Sequence, residues 1–303
     1  MNTIQTDFRN FKQLLSKINT EDNLSVYKNH FFTLIDTIAE KINGSSDKEN
    51  LKEEFFKICS TIDCSIMHNR TREKPCGYAG DYLLIDWIYT KKTATNGAGK
   101  LFDELFHSYE AAESVRNRKE YFKKKCREIY QELNTDIDIL NLGCGSCRDV
   151  KEIYESLNNG HTIHFHCVDS DPRAVEYAKE LLNGKIDEYD INLYVANVFR
   201  LNIDRKYDLI WSAGLFDYLE KRVVILLLKK IWRYLKDNGR IIFGNFSPKN
   251  PTKNGMELVG KWYLIHRTAS ELIEICRETG LPISELEVES EFSGINLFCV
   301  IKK

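Results

Sequence analysis

The stretch DIDILNLGCGSCRDV, residues 136–150, predicts a buried strand, a tight glycine turn and the start of a helix. Alternating apolar side chains indicate the strand, Gly143-Cys144-Gly145 forms the turn, and the helix begins within residues 146–149. In an open α/β sheet this arrangement brings bare backbone and a helix N-terminus to a nucleotide-like cofactor. We therefore expect the three residues of the turn to contact such a cofactor.

The residues after the turn distinguish between cofactors. A dinucleotide-binding turn has a further glycine or alanine three residues on, but Arg148 occupies that position and Asp149 follows it. A carboxylate at the start of a helix suits a positively charged cofactor better than a pyrophosphate. The sequence also has no Gly-Lys-Ser/Thr phosphate loop. The turn therefore favours S-adenosylmethionine (SAM) over NAD or ATP.

Three further segments, each at the carboxyl end of a different predicted strand, complete the expected cofactor site. A carboxylate after the second strand accepts both ribose hydroxyls, and ligands of open α/β folds bind at this end of the sheet. An amide after the third strand is placed to hydrogen-bond the adenine edge. The residues expected in these three places are Asp169 and Ser170, Asn197 and Val198, and Ser212 and Ala213.

From residue 136 onward, predicted strands alternate with predicted helices. The strands are expected at 137–142, 163–168, 191–195, 208–211, 240–244, 286–291 and 295–301, and the helices at 149–157, 172–182, 218–235 and 268–279. This alternation predicts an α/β fold with a doubly wound, seven-stranded, mostly parallel (Rossmann-like) sheet. The short turn at Ser293-Gly294 makes the last two strands a hairpin, which leaves an antiparallel last strand.

Residues 1–135 show helical periodicity and almost no strand pattern, so we expect a helical N-terminal domain before a cofactor domain at 136–303. Loop chemistry interrupts the helices at residues 70–89, where Tyr78 and Asp81 are candidate catalytic groups of a lid over the substrate. The alternative is an ordinary interhelix turn in which Asp81 caps the next helix.

The segment VRNRKEYFKKKCR, residues 115–127, contains seven basic residues among thirteen. A nucleic-acid footprint is one interpretation. Glutamates interleave with the basic residues at helical spacing, however, which favours a solvated helix face with ion pairs. Only Arg116 and Arg118 are candidates for contact with a ligand.

Composition narrows the class of protein. The formal net charge of -2 favours neither nucleic acid nor an anionic membrane as a partner, and the longest aliphatic run is too short to span a bilayer. Nine irregularly spaced cysteines and a start without an apolar signal core predict reduced thiols and a cytoplasmic location. Cys144 and Cys147 form a C-x-x-C pair, but without a second ligand pair we expect no metal. The sequence gives no oligomeric state.

From residue 136 to its end, the chain resembles class I SAM-dependent methyltransferases, through NLGCGSC, CVDSD, ANV and SAGLFDYL in that order. Asn197 stands where an aspartate is common in that superfamily. Five further segments, EKPCGYAGDY, SVRNRKEYF, LFDYL, GNFSPKNP and MELVGKWYLIHRT, resemble a bacterial group assigned to 3-hydroxypalmitic acid methyl ester biosynthesis. The resemblance implies SAM as cofactor and small-molecule O-methylation of a hydroxy fatty acid carboxylate.

The acceptor pocket is expected in the segments that extend beyond the carboxyl end of the sheet. For a carboxylate acceptor, Arg267 is expected to hold one oxygen, and for an amine or hydroxyl, His266 or Asp81 is the candidate base. The expected substrate-binding residues are Tyr218, Asn245, Trp262, Tyr263 and Arg116. Packing for Trp262 and Tyr263, and an ion pair with Glu271 for Arg267, are the structural alternatives.

The alternative functions are methylation of an amine or hydroxyl on a metabolite or protein, methylation of nucleic acid, and a silent module that only binds the cofactor. The fourth strand is followed by Ser212-Ala213-Gly214-Leu215 and not by the Asn/Asp-Pro-Pro-aromatic motif usual in methyltransferases of exocyclic amines. The sequence therefore disfavours a nucleobase amine as acceptor, and we expect a small molecule as the partner.

Overall fold

A computed structural model of the chain describes residues 3–20, 24–94, 96–156, 162–182 and 190–303. Its helices are α1 (Ile4–Thr20), α2 (Leu24–Asn43), α3 (Lys48–Cys59), α4 (Ile66–Glu73), α5 (Tyr82–Thr90), α6 (Gly97–His107), α7 (Glu110–Leu133), α8 (Arg148–Ser156), α9 (Pro172–Leu182), α10 (Lys221–Ile231), α11 (Lys253–Leu258) and α12 (Ala269–Glu278). Its strands are β1 (Ile137–Leu142), β2 (Ile163–Asp169), β3 (Ile191–Val195), β4 (Tyr207–Ser212), β5 (Leu235–Phe246), β6 (Glu285–Ser290) and β7 (Asn296–Lys302).

The chain forms two compact units. The helical unit comprises Met1–Glu113 and Asn250–Tyr263, and the sheet unit comprises Ser114–Lys249 and Leu264–Lys303. The division falls inside α7, which the sequence analysis placed wholly in the N-terminal domain. The segment 250–263, which the sequence analysis placed in the cofactor domain, packs with the helical unit.

Aromatic side chains at helical spacing form the core of the helical unit. Phe11 and Phe31 are fully buried with ring centroids 5.4 Å apart, and Phe55 lies 5.0 Å from Phe11. These rings come from α1, α2 and α3, where the three-to-four-residue spacing of apolar residues predicted buried faces. The helical periodicity of this region is therefore confirmed.

The sheet unit has the strand order β3-β2-β1-β4-β5-β7-β6 within the residues described. Neighbouring strands among β1–β5 pair in parallel, whereas β7 lies antiparallel between β5 and β6. The predicted α/β fold, with a hairpin and one antiparallel strand, is confirmed.

One predicted helix, 218–235, is wrong at both ends. Phe216–Tyr218 is a 3₁₀ turn, and α10 ends at Ile231. A second 3₁₀ turn follows, and Leu235 already pairs with Tyr207 as the first residue of β5. Apolar residues continue at helical spacing through this stretch, but strand pairing determines the conformation of Leu235. Leu157, the last residue of another predicted helix, lies outside the described residues.

Helix α7 packs on one face of the sheet, which we call the α7 face. The ring of Phe122 stacks on Trp211 at 4.2 Å, and Tyr121 stacks on Phe298 at 4.0 Å. Since alternate strand residues share a face, Asn296 points to the same side of β7 as Phe298. The same alternation places Asn141, which lies beside Trp211 in register, on the α7 face of β1.

Candidate functional site

The glycine turn after β1 is held by the end of β2. The backbone N–H groups of Gly143 and Cys144 donate to the carbonyl oxygen of Val168 at 2.8 and 3.1 Å. Gly143 and Gly145 have φ of 66° and 56°, a left-handed conformation that glycine adopts without the steric cost of a side chain. Backbone hydrogen bonds within the protein therefore hold the turn to the edge of the sheet.

Asp169 connects the turn to the loop after β2. Its carboxylate accepts hydrogen bonds from the N–H groups of Gly145 and Asp171, each at 2.9 Å. Burial raises the pKa of this carboxyl above its ordinary value, and the backbone donors oppose that rise. Asp169 thus braces the turn, and its contact with ribose hydroxyls stays a prediction.

The other expected cofactor residues lie at the same edge of the sheet. Ser212 is buried and donates its hydroxyl to the carbonyl oxygen of Leu142 at 2.9 Å, which ties the end of β4 to the end of β1. The side-chain oxygen of Asn197 accepts from the N–H of Phe199 at 2.8 Å, so it shapes its own turn. Ser170 is exposed after β2, Val198 is buried, and Ala213 is half-buried after β4.

The C-x-x-C pair belongs to a cluster of three buried thiols, Cys144, Cys147 and Cys167, which hydrogen-bond one another. The sequence analysis missed Cys167, which comes from β2. Mutual contact and burial raise the pKa of Cys144 well above its ordinary value. A protonated, buried thiol is a poor nucleophile and metal ligand, so the cluster serves as packing under the turn.

Two buried carboxylates and a buried guanidinium lie close to this edge. Burial raises the pKa of Asp217 to about 7, against the N–H of Phe246 and the charges of Arg118 and Arg267. Burial likewise raises the pKa of Asp149 to about 6, against its hydrogen bond from Val150 and the charge of Arg118. The charge of Arg118 therefore acts on both acids.

Arg267 and Asn245 are engaged inside the sheet unit. The Arg267 guanidinium donates to the side-chain oxygen of Asn245 at 2.6 Å and to the carbonyl oxygens of Phe216 and Leu219. The Asn245 amide group donates to the carbonyl oxygens of Phe246 and Ile265. These bonds fix the chain after β5, and direct contact of either side chain with an acceptor stays a prediction.

The two remaining candidates in this unit lie beside that network. His266 is half-buried and its Nδ1 is 3.1 Å from the carbonyl oxygen of Leu264, while Tyr218 is exposed at the end of its 3₁₀ turn. Glu271 forms a capping box with Thr268 at the start of α12, so the alternative of an Arg267–Glu271 ion pair is replaced by the contacts of Arg267 described above.

In the helical unit, Asp81 is the N-cap of α5. Its Oδ1 accepts from the N–H groups of Leu83 and Leu84 and from Nε of Arg70 at 2.8 Å. Its Oδ2 is buried and has no hydrogen-bond partner among the residues described. The capping alternative is therefore present in the structure, and a catalytic role for Asp81 or for the half-buried Tyr78 stays a prediction.

An apolar cavity in the helical unit is lined by residues of α4, α6, α7 and the segment 250–263, among them Phe106, Met256 and Trp262. His68, which also lines it, is buried between Ser65 and Tyr109, and burial lowers its pKa to about 3. Trp262 is buried, whereas Tyr263 is exposed and lies under the ammonium of Lys74 at 5.8 Å.

The basic stretch of α7 is a face of ion pairs. Lys119 and Lys123 pair with Glu152 of α8, and Lys125 pairs with Glu128 and Glu289. The interpretation as an ion-paired helix face is therefore confirmed for these lysines. Arg116 is half-buried in the N-terminal half of α7, and its contact with a substrate stays a prediction.

Asn296 is a polar residue of this edge that the sequence analysis missed. It is fully buried at the start of β7, and neither its amide nitrogen nor its oxygen has a hydrogen-bond partner in the part of the chain described. A buried group of this kind requires an explanation, such as a bound water or ligand. Its only signal in the sequence is an amide at an inward-facing position of an otherwise apolar strand.

The described residues contain no group of three or more histidine, cysteine, aspartate or glutamate side chains that could hold a metal ion. No helix among them is long and apolar enough to cross a membrane.

Residues 140–241 match a protein family described as a methyltransferase domain. The malonyl-acyl-carrier-protein O-methyltransferase 1 of Ilyobacter polytropus is 30% identical over 112 residues, which cover 37% of this chain and 39% of that protein. The enzyme of the same name from Priestia megaterium is 25% identical over 152 residues, 48% of this chain and 50% of its own length. The chain thus spans half or less of these curated relatives.

A solved structure with a similar fold is that of a possible exported protein from Bordetella parapertussis. It superposes with a TM-score of 0.61 at 15% identity and covers 100% of this chain and 97% of its own. At this identity the likeness concerns the fold alone, and it extends over both units.

Proposed function

We propose that the protein transfers a methyl group from SAM to the carboxylate of a small molecule, giving a methyl ester. The match of residues 140–241 to a family described as a methyltransferase domain supports methyl transfer. The observation that best supports SAM as the cofactor is the brace at the glycine turn, the hydrogen bond that the N–H of Gly145 donates to the Asp169 carboxylate. The brace fixes a carboxylate and a glycine turn side by side, as an adenosyl group requires.

The described residues fit SAM in chemical character. The turn Gly143-Cys144-Gly145 offers backbone with little side chain, and Asp169 keeps a buried carboxylate beside it. Asn197 and Val198 would meet the adenine, and Ser212 with Ala213 would border the methionine part. When bound, SAM supplies an electrophilic methyl group.

A carboxylate acceptor suits the groups present. It is already nucleophilic, so the protein has to bind it, orient it and exclude water, without a strong base. The names of both curated relatives describe O-methyltransferases of malonyl-acyl-carrier protein, which supports a carboxyl oxygen as the acceptor atom.

We extend the proposal to an acceptor of the hydroxy fatty acid type. The motifs EKPCGYAGDY and MELVGKWYLIHRT support it through their resemblance to the ester-forming group. Cytoplasmic location remains an expectation.

The test uses SAM labelled in its methyl group and a panel of 3-hydroxy fatty acids of increasing length. After the reaction the product is extracted and treated with mild alkali, which releases methanol from an ester and leaves a methylated amine or ether intact. We expect label in methanol from the full-length chain and none from Asp169→Ala, with the exposed Lys124→Ala as the matched control. Label that resists alkali would contradict the ester and favour an amine or hydroxyl acceptor.

A further inference from the structure

Several buried polar atoms on the α7 face have no hydrogen-bond partner within the described ranges. They are the amide nitrogen and oxygen of Asn296, the amide nitrogen of Asn141 and the indole nitrogen of Trp211. A buried polar group without a partner costs about 1–3 kcal/mol, so several on one face are unusual unless a ligand or water pairs with them. Asn296 is the extreme case, because both of its polar atoms are unpaired.

Gly244 opens the path from Asn296 toward the end of β4. A Cβ at Gly244 would lie 2.4 Å from the carbonyl oxygen of Ala213 and 3.2 Å from the side-chain oxygen of Asn296. The missing side chain therefore lets the Asn296 amide lie across β5, beside the stretch Ala213-Gly214. Of these two residues, Ala213 was expected at the cofactor from the sequence alone.

Arg118 lies on the other side of the same stretch. A Cβ at Gly214 would lie 3.0 Å from Nη1 of Arg118, and the arginine is only 6% exposed. The buried positive charge of Arg118, on α7, thus lies beside Gly214, and the buried amide of Asn296, on β7, lies beside Ala213. Planar guanidinium and amide donors together match the two oxygens of a carboxylate.

The surrounding charges determine which carboxylate fits. Asp149 and Asp217 are both buried, which raises the pKa of both carboxyls, and the positive charge of Arg118 lowers it. The charges of Arg267 and Lys119 also act on Asp217 and Asp149, so the site presents groups of both signs and not a single charge. A zwitterion satisfies both signs, because its ammonium meets the acids while its carboxylate meets Arg118 and Asn296.

We propose that Arg118 and Asn296 bind the α-carboxylate of the amino-acid group of SAM, with Asp149 and Asp217 facing its α-ammonium. The assignment rests on the proposed function only in that SAM is the cofactor, and it holds whatever the acceptor. Asn296 is then kept polar for a ligand, and Gly214 and Gly244 are kept small so that the two donors can reach it.

The test compares two ligands that differ in the amino-acid group. S-adenosylhomocysteine carries it, and 5′-methylthioadenosine lacks it. Calorimetric titration gives the affinity of each ligand for the wild type, Arg118→Gln, Asn296→Leu and the exposed control Arg222→Gln.

We expect each of the two site variants to lose about 10- to 100-fold in affinity for S-adenosylhomocysteine, since a charge-assisted pair has this magnitude. Affinity for methylthioadenosine should stay unchanged, and Arg222→Gln should behave as wild type. An equal loss for both ligands, or an unchanged ratio between them, would overturn the proposal.

Two further readouts separate binding from structure. Thermal unfolding of ligand-free Asn296→Leu should show an equal or higher Tm, because the substitution removes an unpaired buried amide. A large drop in Tm would make Asn296 a structural residue and overturn its role. Hexanoate, titrated into the protein saturated with S-adenosylhomocysteine, tests whether Arg118 binds the carboxylate of the acceptor instead. If Arg118→Gln loses hexanoate binding while the ratio of its affinities for the two adenosyl ligands is unchanged, Arg118 would be reassigned to the acceptor.

The outcome is independent of the ester test. If no methyl ester forms, the affinity ratio of the two adenosyl ligands is still measured and still decides the role of Arg118 and Asn296. If the wild type binds neither ligand, the cofactor assignment itself fails.

Discussion

Asn245 and Asn296 lie on the paired strands β5 and β7, and both are fully buried, yet their surroundings differ completely. The amide of Asn245 donates two hydrogen bonds and its oxygen accepts one from Arg267. Among the residues described, the side chain of Asn296 has none. Burial alone therefore does not identify a binding residue. The hydrogen bonds that the protein leaves unmade are more informative.

Replacing each asparagine with leucine tests this contrast most directly. Asn245→Leu removes the acceptor of Arg267 and strands the carbonyl oxygen of Ile265, so we expect a loss of about 3 kcal/mol in the free energy of unfolding. Asn296→Leu should change it little or raise it. Urea denaturation of both variants measures the difference. Equal destabilisation by both would remove the distinction between them.

The sequence predicted the sheet well because its signals are local. Apolar alternation marked β1–β3, and the turn at Ser293-Gly294 required the hairpin that makes β7 antiparallel. The beginning of β5 could not be read, because its first residues include the polar stretch 236–239. Only the pairing of Leu235 with Tyr207 shows that the strand begins there.

The acceptor side was harder, because roles there depend on contacts between distant segments. Asn245 and Arg267 were expected at the substrate as polar residues beyond the sheet, but the structure joins them to each other. Asn296 was missed, since its reach across β5 depends on a glycine fifty-two residues earlier, at Gly244. No pattern in the sequence indicates how β7 pairs with β5.

The glycine turn is a second region whose buried polar groups are hydrogen-bonded. Breaking one of these hydrogen bonds should have the next largest effect, on the affinity for the cofactor. In Asp169→Asn one side-chain oxygen that accepts from a backbone N–H becomes an NH₂ group, which opposes the N–H of Gly145 or Asp171. We expect affinity for S-adenosylhomocysteine to fall about 100-fold, or about 2.7 kcal/mol.

Calorimetry measures the affinity of Asp169→Asn for S-adenosylhomocysteine. The matched control is Asp171→Asn, two residues later in the chain. Comparable losses in the two variants would assign the effect to the loop as a whole and remove the special role of Asp169.

Asp217 is intermediate between Asn245 and Asn296. One of its oxygens accepts a hydrogen bond from the N–H of Phe246 at 2.7 Å, but burial disfavours its charged form. Its pKa rises from 3.8 to about 7, so the folded protein retains a proton that the unfolded chain has released. This carboxyl therefore contributes less to stability as the pH rises from about 4 to about 7.

Asp217→Asn keeps an oxygen for Phe246 and cannot ionise. Relative to wild type it should gain about 3.5 kcal/mol in the free energy of unfolding between pH 4 and pH 7.5. Denaturation curves at both pH values test this, with the exposed Asp237→Asn as control. A difference that does not change with pH would mean that the Asp217 carboxyl is ionised across the whole range.

The smallest effect should come from Ser114, whose hydroxyl is fully buried in α7 and has no hydrogen-bond partner in the described part of the chain. Ser114→Ala removes an unpaired group and raises helix propensity, so we expect a gain of about 0.5 kcal/mol in the free energy of unfolding. Calorimetric affinity for S-adenosylhomocysteine decides whether Ser114 resembles Asn296. Unchanged affinity would make Ser114 a tolerated packing defect and not a ligand contact. A loss of tenfold or more would extend the cofactor site one turn along α7 from Arg118.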